Sequence, residues 1–599
     1  MNPADTSSPA RSRRQRILLL DSEDRYPPPG WESGCDLIVD FGHAAPETHR
    51  QWAQQAGCRV VNLFEFCRDL EDLYRTRDLL QQGTGQLVDR YGIDWWDVLS
   101  VMITPGILNL LMIHRLASSL DFECDLYMSR PMPGARALAK MMGMPLHSVD
   151  TFSRGFMRRL SRYRRVASEF DSNLALQIAL DKFDGRHVLR SRLARRRQSY
   201  RQPVVLLPTA YANVSRAALH HARQSPEQNF LLVHARRIAR VASLPPNVES
   251  CSLDSYFSAP DQTEIAAILE NWQTLKRRMI SRYPEFAAAE AAGILERIPA
   301  LVPWGIAVRD AWLRLFDTQE VAACLTADDG NPYTRLPLIL ARMRGIPALA
   351  CHHGALDYAM AVKTNYSDLY LAKTEMEADY LLNVCRMPGE RIAMLDAARH
   401  ERDIPTGNRS RADRSWLVFF TENSIPPWRG EEAYRDLMPA LLSLSRTLGL
   451  KLIFKLHPFE CRGDYQRWVR EFLPVEDRAR IAIMTGPPPA ELWRNTRVAL
   501  TVQSSTALEC HAQGIPVFLC RWLREPNCAY QDQYARFGIA QVLETPAQIE
   551  DIPRALQRWN PPLPPDWRGA REITRVTLSE LLSSSHSLSR GGRAQCVGD

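Results

Sequence analysis

The chain has 599 residues, enough for about three to four domains at the usual ~150 residues each. Its 45% hydrophobic and 24% charged content is ordinary for a globular protein, and a formal charge of +7 is too mild at this length to point to a polyanionic partner. The 13 cysteines form no C-x-x-C pair and no zinc-site spacing, which argues against a disulfide-stapled or zinc-built fold and for buried thiols in a reducing, cytoplasmic setting.

Residues 1–15 are basic but lead into an apolar run of only 17–20, so they read as a disordered tail and not as a secretion signal. From 16 to 153 short apolar runs at 17–20, 36–41, 59–63, 125–128 and 146–149 alternate with helical patterns, including one over 65–82. This predicts a first α/β unit with a parallel sheet. Trp95 and Trp96 are expected to pack a core or a domain face. The most apolar stretch, 98–113, is under the ~20 residues that span a bilayer, and it contains Pro105-Gly106. An arginine-rich segment follows at 154–202. It reads as a solvated helical linker, or as a basic face that docks on an acidic membrane surface through the arginines between 158 and 197. No aromatic-rich binding motif accompanies them, which disfavours nucleic acid.

A second unit is expected over 203–405, with strands starting at 204, 230, 321 and 348, a helical region at 263–297, and a hinge near 397–408. A third, over 406–580, has predicted strands at 416–420, 450–456, 481–484 and 498–502. Residues 581–599 read as a low-complexity tail. The sequence Arg497-Val-Ala-Leu-Thr-Val-Gln-Ser-Ser-Thr leads the most regular of three similar passages: strand, polar loop, helix, Gly-x-Pro, strand. The stops are Gly143-Met144-Pro145, Gly345-Ile346-Pro347 and Gly514-Ile515-Pro516. The repeated grammar predicts tandem doubly wound α/β domains, whose ligands bind at the carboxyl ends of the strands.

Three polar loops fall at such ends. In Asp328-Asp329-Gly330, adjacent carboxylates raise one another's pKa, which suits a general base; the plain alternative is an Asx turn that caps the next helix. In Lys455-Leu456-His457-Pro458, proline holds the histidine at the strand's end. Alternation puts Lys455 and His457 on one face, toward a phosphate. In Ser504-Ser505-Thr506, hydroxyls and backbone N–H groups can take a phosphate, and Glu509 one turn on can accept from ribose hydroxyls. Each has a plain reading as a turn or helix cap.

The order of these motifs resembles that of the GT-B glycosyltransferases that use CMP-activated sugars, namely bacterial sialyl- and polysialyltransferases and capsule Kdo transferases. Similar His-Pro and Ser-Ser elements occur in the wider capsule and teichoic-acid transferase group, and His353-Gly354 is similar to a His-Gly that follows the acidic loop there. The resemblance spans residues 203–560 and implies a GT-B pair of Rossmann-like domains, with an additional α/β unit before it. It implies Asp328 or Asp329 as the base on the acceptor hydroxyl, His457 on the nucleotide phosphate, and Ser504, Ser505 and Thr506 binding that phosphate. It further implies inversion, no catalytic metal, no cofactor beyond the nucleotide sugar, and a surface polysaccharide or lipid-linked glycan acceptor. The loop continues Asn331-Pro332-Tyr333-Thr334-Arg335 where sialyltransferases commonly continue with acids, which leaves the donor sugar open. His352-His353 can supply the base instead, with the acidic pair structural. A sugar-nucleotide 2-epimerase, a CDP-alcohol phosphotransferase, and a non-catalytic scaffold of polysaccharide assembly remain alternatives.

Overall fold

The computed structural model describes residues 14–20, 35–41, 47–66, 70–120, 123–128, 132–148, 202–236, 241, 243–356, 359–395, 413–422, 427–457, 460, 462–486, 488–523, 530–559 and 573–581. Residues 1–13 and 582–599 of the two expected tails, the arginine-rich segment up to 201, the hinge expected at 397–408 and Pro458 lie outside them, while Gln15, assigned to the first tail, opens a strand. The chain divides into two compact units. One comprises Met1–Arg68, Gly106–Met157 and Ile280–Leu295, the other Asp69–Pro105, Arg158–Met279 and Glu296–Asp599.

The first unit is built on a five-stranded parallel sheet in the order β3-β2-β1-β4-β5. Its strands are β1 (Gln15–Leu20), β2 (Leu37–Asp40), β3 (Arg59–Asn62), β4 (Cys124–Met128) and β5 (Leu146–Ser148). Residues 17–20 and 37–40 are buried without alternation, as a parallel sheet covered on both faces requires. The helix expected over 65–82 is a 3-10 turn, Leu63–Phe66, and a separate helix, Leu70–Gln81. That helix belongs to the second unit. So do Trp95 and Trp96, which are fully buried with their indole N–H groups on Asp89 Oδ2 (3.0 Å) and the Leu80 carbonyl (2.6 Å). They are core.

The second unit holds two parallel sheets. The eight-stranded one runs in the order β19-β12-β11-β10-β9-β6-β7-β8. It comprises β6 (Val204–Thr209), β7 (Phe230–His234), β8 (Val248–Ser252), β9 (Val321–Thr326), β10 (Ala348–Ala350), β11 (Leu369–Ala372), β12 (Ile392–Leu395) and a late return, β19 (Thr574–Val576). The six-stranded one runs in the order β15-β14-β13-β16-β17-β18. Its strands are β13 (Trp416–Phe420), β14 (Lys451–Lys455), β15 (Ile481–Met484), β16 (Thr496–Thr501), β17 (Val517–Cys520) and β18 (Gln541–Leu543). Leu417, Phe419, Leu452, Phe454, Val498 and Leu500 pack under the helix Pro427–Leu448 on one face of this sheet. The helical region expected over 263–297 breaks into Gln262–Arg282 and Pro284–Ala291, because Pro284 starts a new helix where its missing N–H costs nothing. A further helix, Arg297–Thr318, carries Pro303 in its interior and had no counterpart in the sequence reading.

The three Gly-x-Pro stops hold. Gly143, Gly345 and Gly514 take φ of +64°, +68° and +62°, the left-handed conformation that ends a helix and that a Cβ would strain. Cys324, Cys351, Cys510 and Cys520 are buried thiols. Among the described residues no helix is long and apolar enough to cross a membrane.

Strand order fixes where a ligand can sit. In the larger sheet the chain leaves β6 toward β7 and β8, then crosses to β9 on the other side. In the smaller it leaves β13 toward β14 and β15, then crosses to β16. The loops after β6 and β9, and those after β13 and β16, therefore flank the two crevices where strand order reverses. Two of the three motif loops lie at these crevices: the acidic loop after β9 and the serine loop after β16.

Candidate functional site

The acidic loop is a buried scaffold. Asp328 Oδ1 accepts from the Gly330 N–H at 2.8 Å and Oδ2 from Asn331 Nδ2 at 3.0 Å; Asn331 in turn caps the helix Pro332–Met343 by accepting from the Tyr333 N–H at 3.1 Å. This is the Asx-type capping geometry. Asp329 is 1% exposed, bonded through Oδ1 to Lys363 Nζ, with Arg335 Nη1 3.7 Å from Oδ2. Burial pushes this carboxyl up, but the Lys363 and Arg335 charges prevail and hold it below the usual carboxylate value. The expectation of a raised pKa at Asp329 is thus corrected: two buried cations outweigh the neighbouring acid. Arg335 also donates to the Thr364 carbonyl at 2.7 Å and stacks on Tyr366, whose hydroxyl, like that of Thr364, is bonded to Asp97. Four buried charges thereby knit the acidic loop to residues 363–366.

The base-like geometry belongs to the next strand end. After β10 the chain turns through His352, His353 and Gly354. Lys373 Nζ clamps the turn from the end of β11, donating to the carbonyls of His352 (3.1 Å) and Gly354 (2.5 Å) while paired with Glu377 at 3.2 Å. His353 Nδ1 lies 3.3 Å from the Ala327 carbonyl. A carbonyl only accepts, so that contact fixes the proton on Nδ1 and leaves Nε2 with a bare lone pair. Burial, reinforced by the neighbouring His352, brings the His353 imidazole down to about 4, so it is neutral at physiological pH. The rings of His352 and His353 are 4.7 Å apart, and burial brings His352 to about 4 as well.

In the smaller sheet, His457 follows β14. Its backbone N–H is held by Thr421 Oγ1 (2.9 Å) and Glu460 Oε2 (2.8 Å), so a half-buried carboxylate three residues on orders this turn. Burial first, then His353, Lys455 and Arg216, lower the His457 imidazole to about 4. Lys455 is buried, donates to the Leu456 carbonyl at 2.9 Å, and is lowered to about 8 by burial and by Arg216.

The loop after β16 is anchored by Glu422, at the end of β13, whose Oε1 accepts from Thr501 Oγ1 (2.9 Å) and the Gln503 N–H (2.5 Å). The Tyr534 hydroxyl lies 3.3 and 3.2 Å from the carbonyls of Gln503 and Ser504. Ser504 Oγ accepts from the Thr506 N–H at 3.4 Å, while Ser505, at the cap position of the helix Thr506–Ala512, makes no side-chain cap bond. Gln503 Oε1, Thr506 Oγ1 and Gln531 Oε1 are buried with no hydrogen-bond partner. Such groups cost roughly 1–3 kcal/mol each when unpaired, so three around one loop mark an unmet demand for polar partners there.

These elements converge across the two sheets. His353 bears on His457. Glu509 keeps exposed surface yet is enclosed enough that burial pushes its carboxyl up, opposed by Lys373 and Arg216 of the larger sheet. Accessible yet surrounded is the condition of a group that lines a concave wall. His353, Lys455 and His457 are thus near one another, as are Arg216, Lys373 and Glu509, while Asp328 and Asp329 are buried. Glu422 and Glu460 had no sequence signal beyond their position after strand ends, and Arg216 none beyond its place in the first turns of the helix after β6. Among the described residues no group of three or more His, Cys, Asp or Glu side chains is placed to hold a metal ion.

No protein-family model and no curated protein matches the sequence. Solved structures do resemble its fold. The UDP-GlcNAc 2-epimerase from Methanocaldococcus jannaschii is 10% identical, with 66% of this chain and 100% of that one covered at a TM-score of 0.38. The wall teichoic acid polymerase TagF is 10% identical, with 74% and 99% covered at 0.35. The UDP complex of S. aureus MnaA is 12% identical, with 59% and 88% covered at 0.35. These likenesses carry nothing about chemistry, which rests on the side chains above.

Proposed function

We propose that the protein is an inverting glycosyltransferase that moves a sugar from a nucleotide-activated donor, a CMP-sugar in the first instance, to a hydroxyl of a surface polysaccharide or lipid-linked glycan. The observation that carries this reading is His353: neutral, with its proton fixed on Nδ1 by the Ala327 carbonyl, and near enough to His457 to lower its imidazole. His353 Nε2 takes the proton of the acceptor hydroxyl. The acceptor oxygen attacks the anomeric carbon, and the bond from that carbon to the phosphate oxygen breaks with inversion. Lys455, His457, Ser504, Ser505 and Thr506 receive the phosphate, and donors preorganised where charge accumulates lower the barrier. Glu509 accepts from the ribose hydroxyls. Asp328 and Asp329 hold the floor that positions Ala327, and through it His353.

The test is release of free nucleotide from CMP-, CDP-, UDP- and GDP-activated donors, with and without a glycan acceptor. Acceptor-dependent release that His353→Asn abolishes supports the reading. Turnover of a nucleotide sugar without acceptor marks a 2-epimerase, release from a CDP-alcohol marks a phosphotransferase, and turnover of none leaves a scaffold.

A further inference from the structure

Arg216 lies one turn into the helix Ala212–Gln224, which follows β6 at the crevice of the larger sheet. Helical side chains lean toward the helix N-terminus, and here that end opens on the carboxyl edge of the sheet. The lean is visible in a bond from Arg216 Nη2 to Asn213 Oδ1, one turn back. Among the described residues this is the arginine's one hydrogen bond, and no carboxylate stands within ion-pair distance of it. The side chain is half-buried, with its remaining N–H donors unused. Opposite, on the smaller sheet, stand Lys455 and His457, on which the arginine bears as a like charge, and Glu509, which opposes it.

Two cations brought from opposite sheets near one another repel; Glu509 opposes this at Arg216 and Glu460 at Lys455, but among the described residues neither carboxylate forms an ion pair with its cation. Lys373 is a different case: its ammonium is saturated by two carbonyls and Glu377. An anion between Arg216 and Lys455 would relieve the repulsion and satisfy the unused guanidinium donors, and a planar guanidinium suits phosphate oxygens. We infer that Arg216 is a phosphate ligand for the nucleotide, contributed from the sheet opposite the serine loop, so that both halves of the cleft grip the same phosphate. The inference rests on the nucleotide-donor reading above.

The experiment is calorimetric titration of the full chain with cytidine, CMP and CDP, and with the uridine and guanosine series in parallel. Arg216→Ala, Arg216→Lys and Glu509→Gln are compared with wild type, and melting curves confirm folding. Arg216→Ala should weaken the phosphorylated ligands by about ten- to a hundredfold and leave the nucleoside unchanged. Arg216→Lys should recover part of the loss, and Glu509→Gln should weaken nucleoside and nucleotide alike, through the ribose, without the phosphate-specific loss. Equal affinity of wild type and Arg216→Ala for nucleotides overturns the inference and leaves the proposed function standing. A loss of the same size in Glu509→Gln that spares the nucleoside overturns it too, since the arginine would then serve to hold Glu509. A wild-type protein that binds no nucleotide overturns the proposed function along with it.

Discussion

Replacing Asp329 with asparagine separates a scaffold from a catalyst. The carboxylate is 1% exposed, and the side chains it neutralises, Lys363 and Arg335, are 3% and 0% exposed. Asparagine keeps the shape and removes the charge, which leaves two buried cations without a counter-charge. Breaking a buried pair from one side costs about 3–5 kcal/mol. For a structural unit of this size each kcal/mol moves the midpoint by about 2–4 °C, so Asp329→Asn should lower the melting temperature by roughly 6–20 °C. Circular dichroism melts without ligand give the number, and adding Lys363→Met should recover part of it, because one orphaned cation is then gone. The pH dependence has a definite sign. The folded carboxyl is held below its ordinary value, so its contribution is complete above about pH 4 and is lost as pH falls through the folded value. The gap between wild type and variant should therefore be constant from about pH 8 to 5 and close only in acid. An Asp329→Asn protein that melts with wild type but has no activity would refute this reasoning and restore the aspartate as the base.

His353→Asn should cost about 10²–10⁴ in rate with little change in melting temperature, measured as nucleotide release per folded molecule. The acid limb of the wild-type profile should fall near pH 4, where His353 takes up its proton, and not near 6.5. His352, His353 and His457 all have folded values depressed to about 4. Their share of stability is thus full above about pH 6.5 and lost as pH falls toward 4, so the wild-type melting temperature should decline through that window. Thr506→Val removes a buried hydroxyl that has no partner; it should leave the melting temperature equal or higher while it weakens nucleotide binding, and a drop in stability would show that Oγ1 already has a partner.

Much of this was legible in the chain. Continuous apolar runs ending in small polar residues gave the parallel strands, and Gly-x-Pro gave three helix stops whose glycines take left-handed φ. His353, His457 and the Ser504–Thr506 loop follow the ends of β10, β14 and β16, as the grammar put them. What it could not carry was pairing at a distance. Lys363 reverses the expected pKa shift at Asp329 from 34 positions away, and Arg216 bears on Glu509 from nearly three hundred. Neither relation leaves a local pattern, because each is made by the stacking of sheets and not by spacing along a strand. The same holds for Glu422 and Glu460, whose acceptor role appears only when the ends of β13, β14 and β16 are side by side. The 263–297 region misled for a local reason: its apolar periodicity runs on across Pro284, which starts a new helix.

The measurement that bears most directly on the proposed function is thermal stabilisation by CMP, CDP, UDP and GDP, with His457→Ala as the control. A ligand at a hundred times its dissociation constant adds about 2.7 kcal/mol, which is readily seen as a raised midpoint. A shift with one of the four, CMP in the first instance, that is lost in His457→Ala is the result expected of a nucleotide site between the two sheets. No shift with any of them, or a shift that His457→Ala leaves intact, would contradict it.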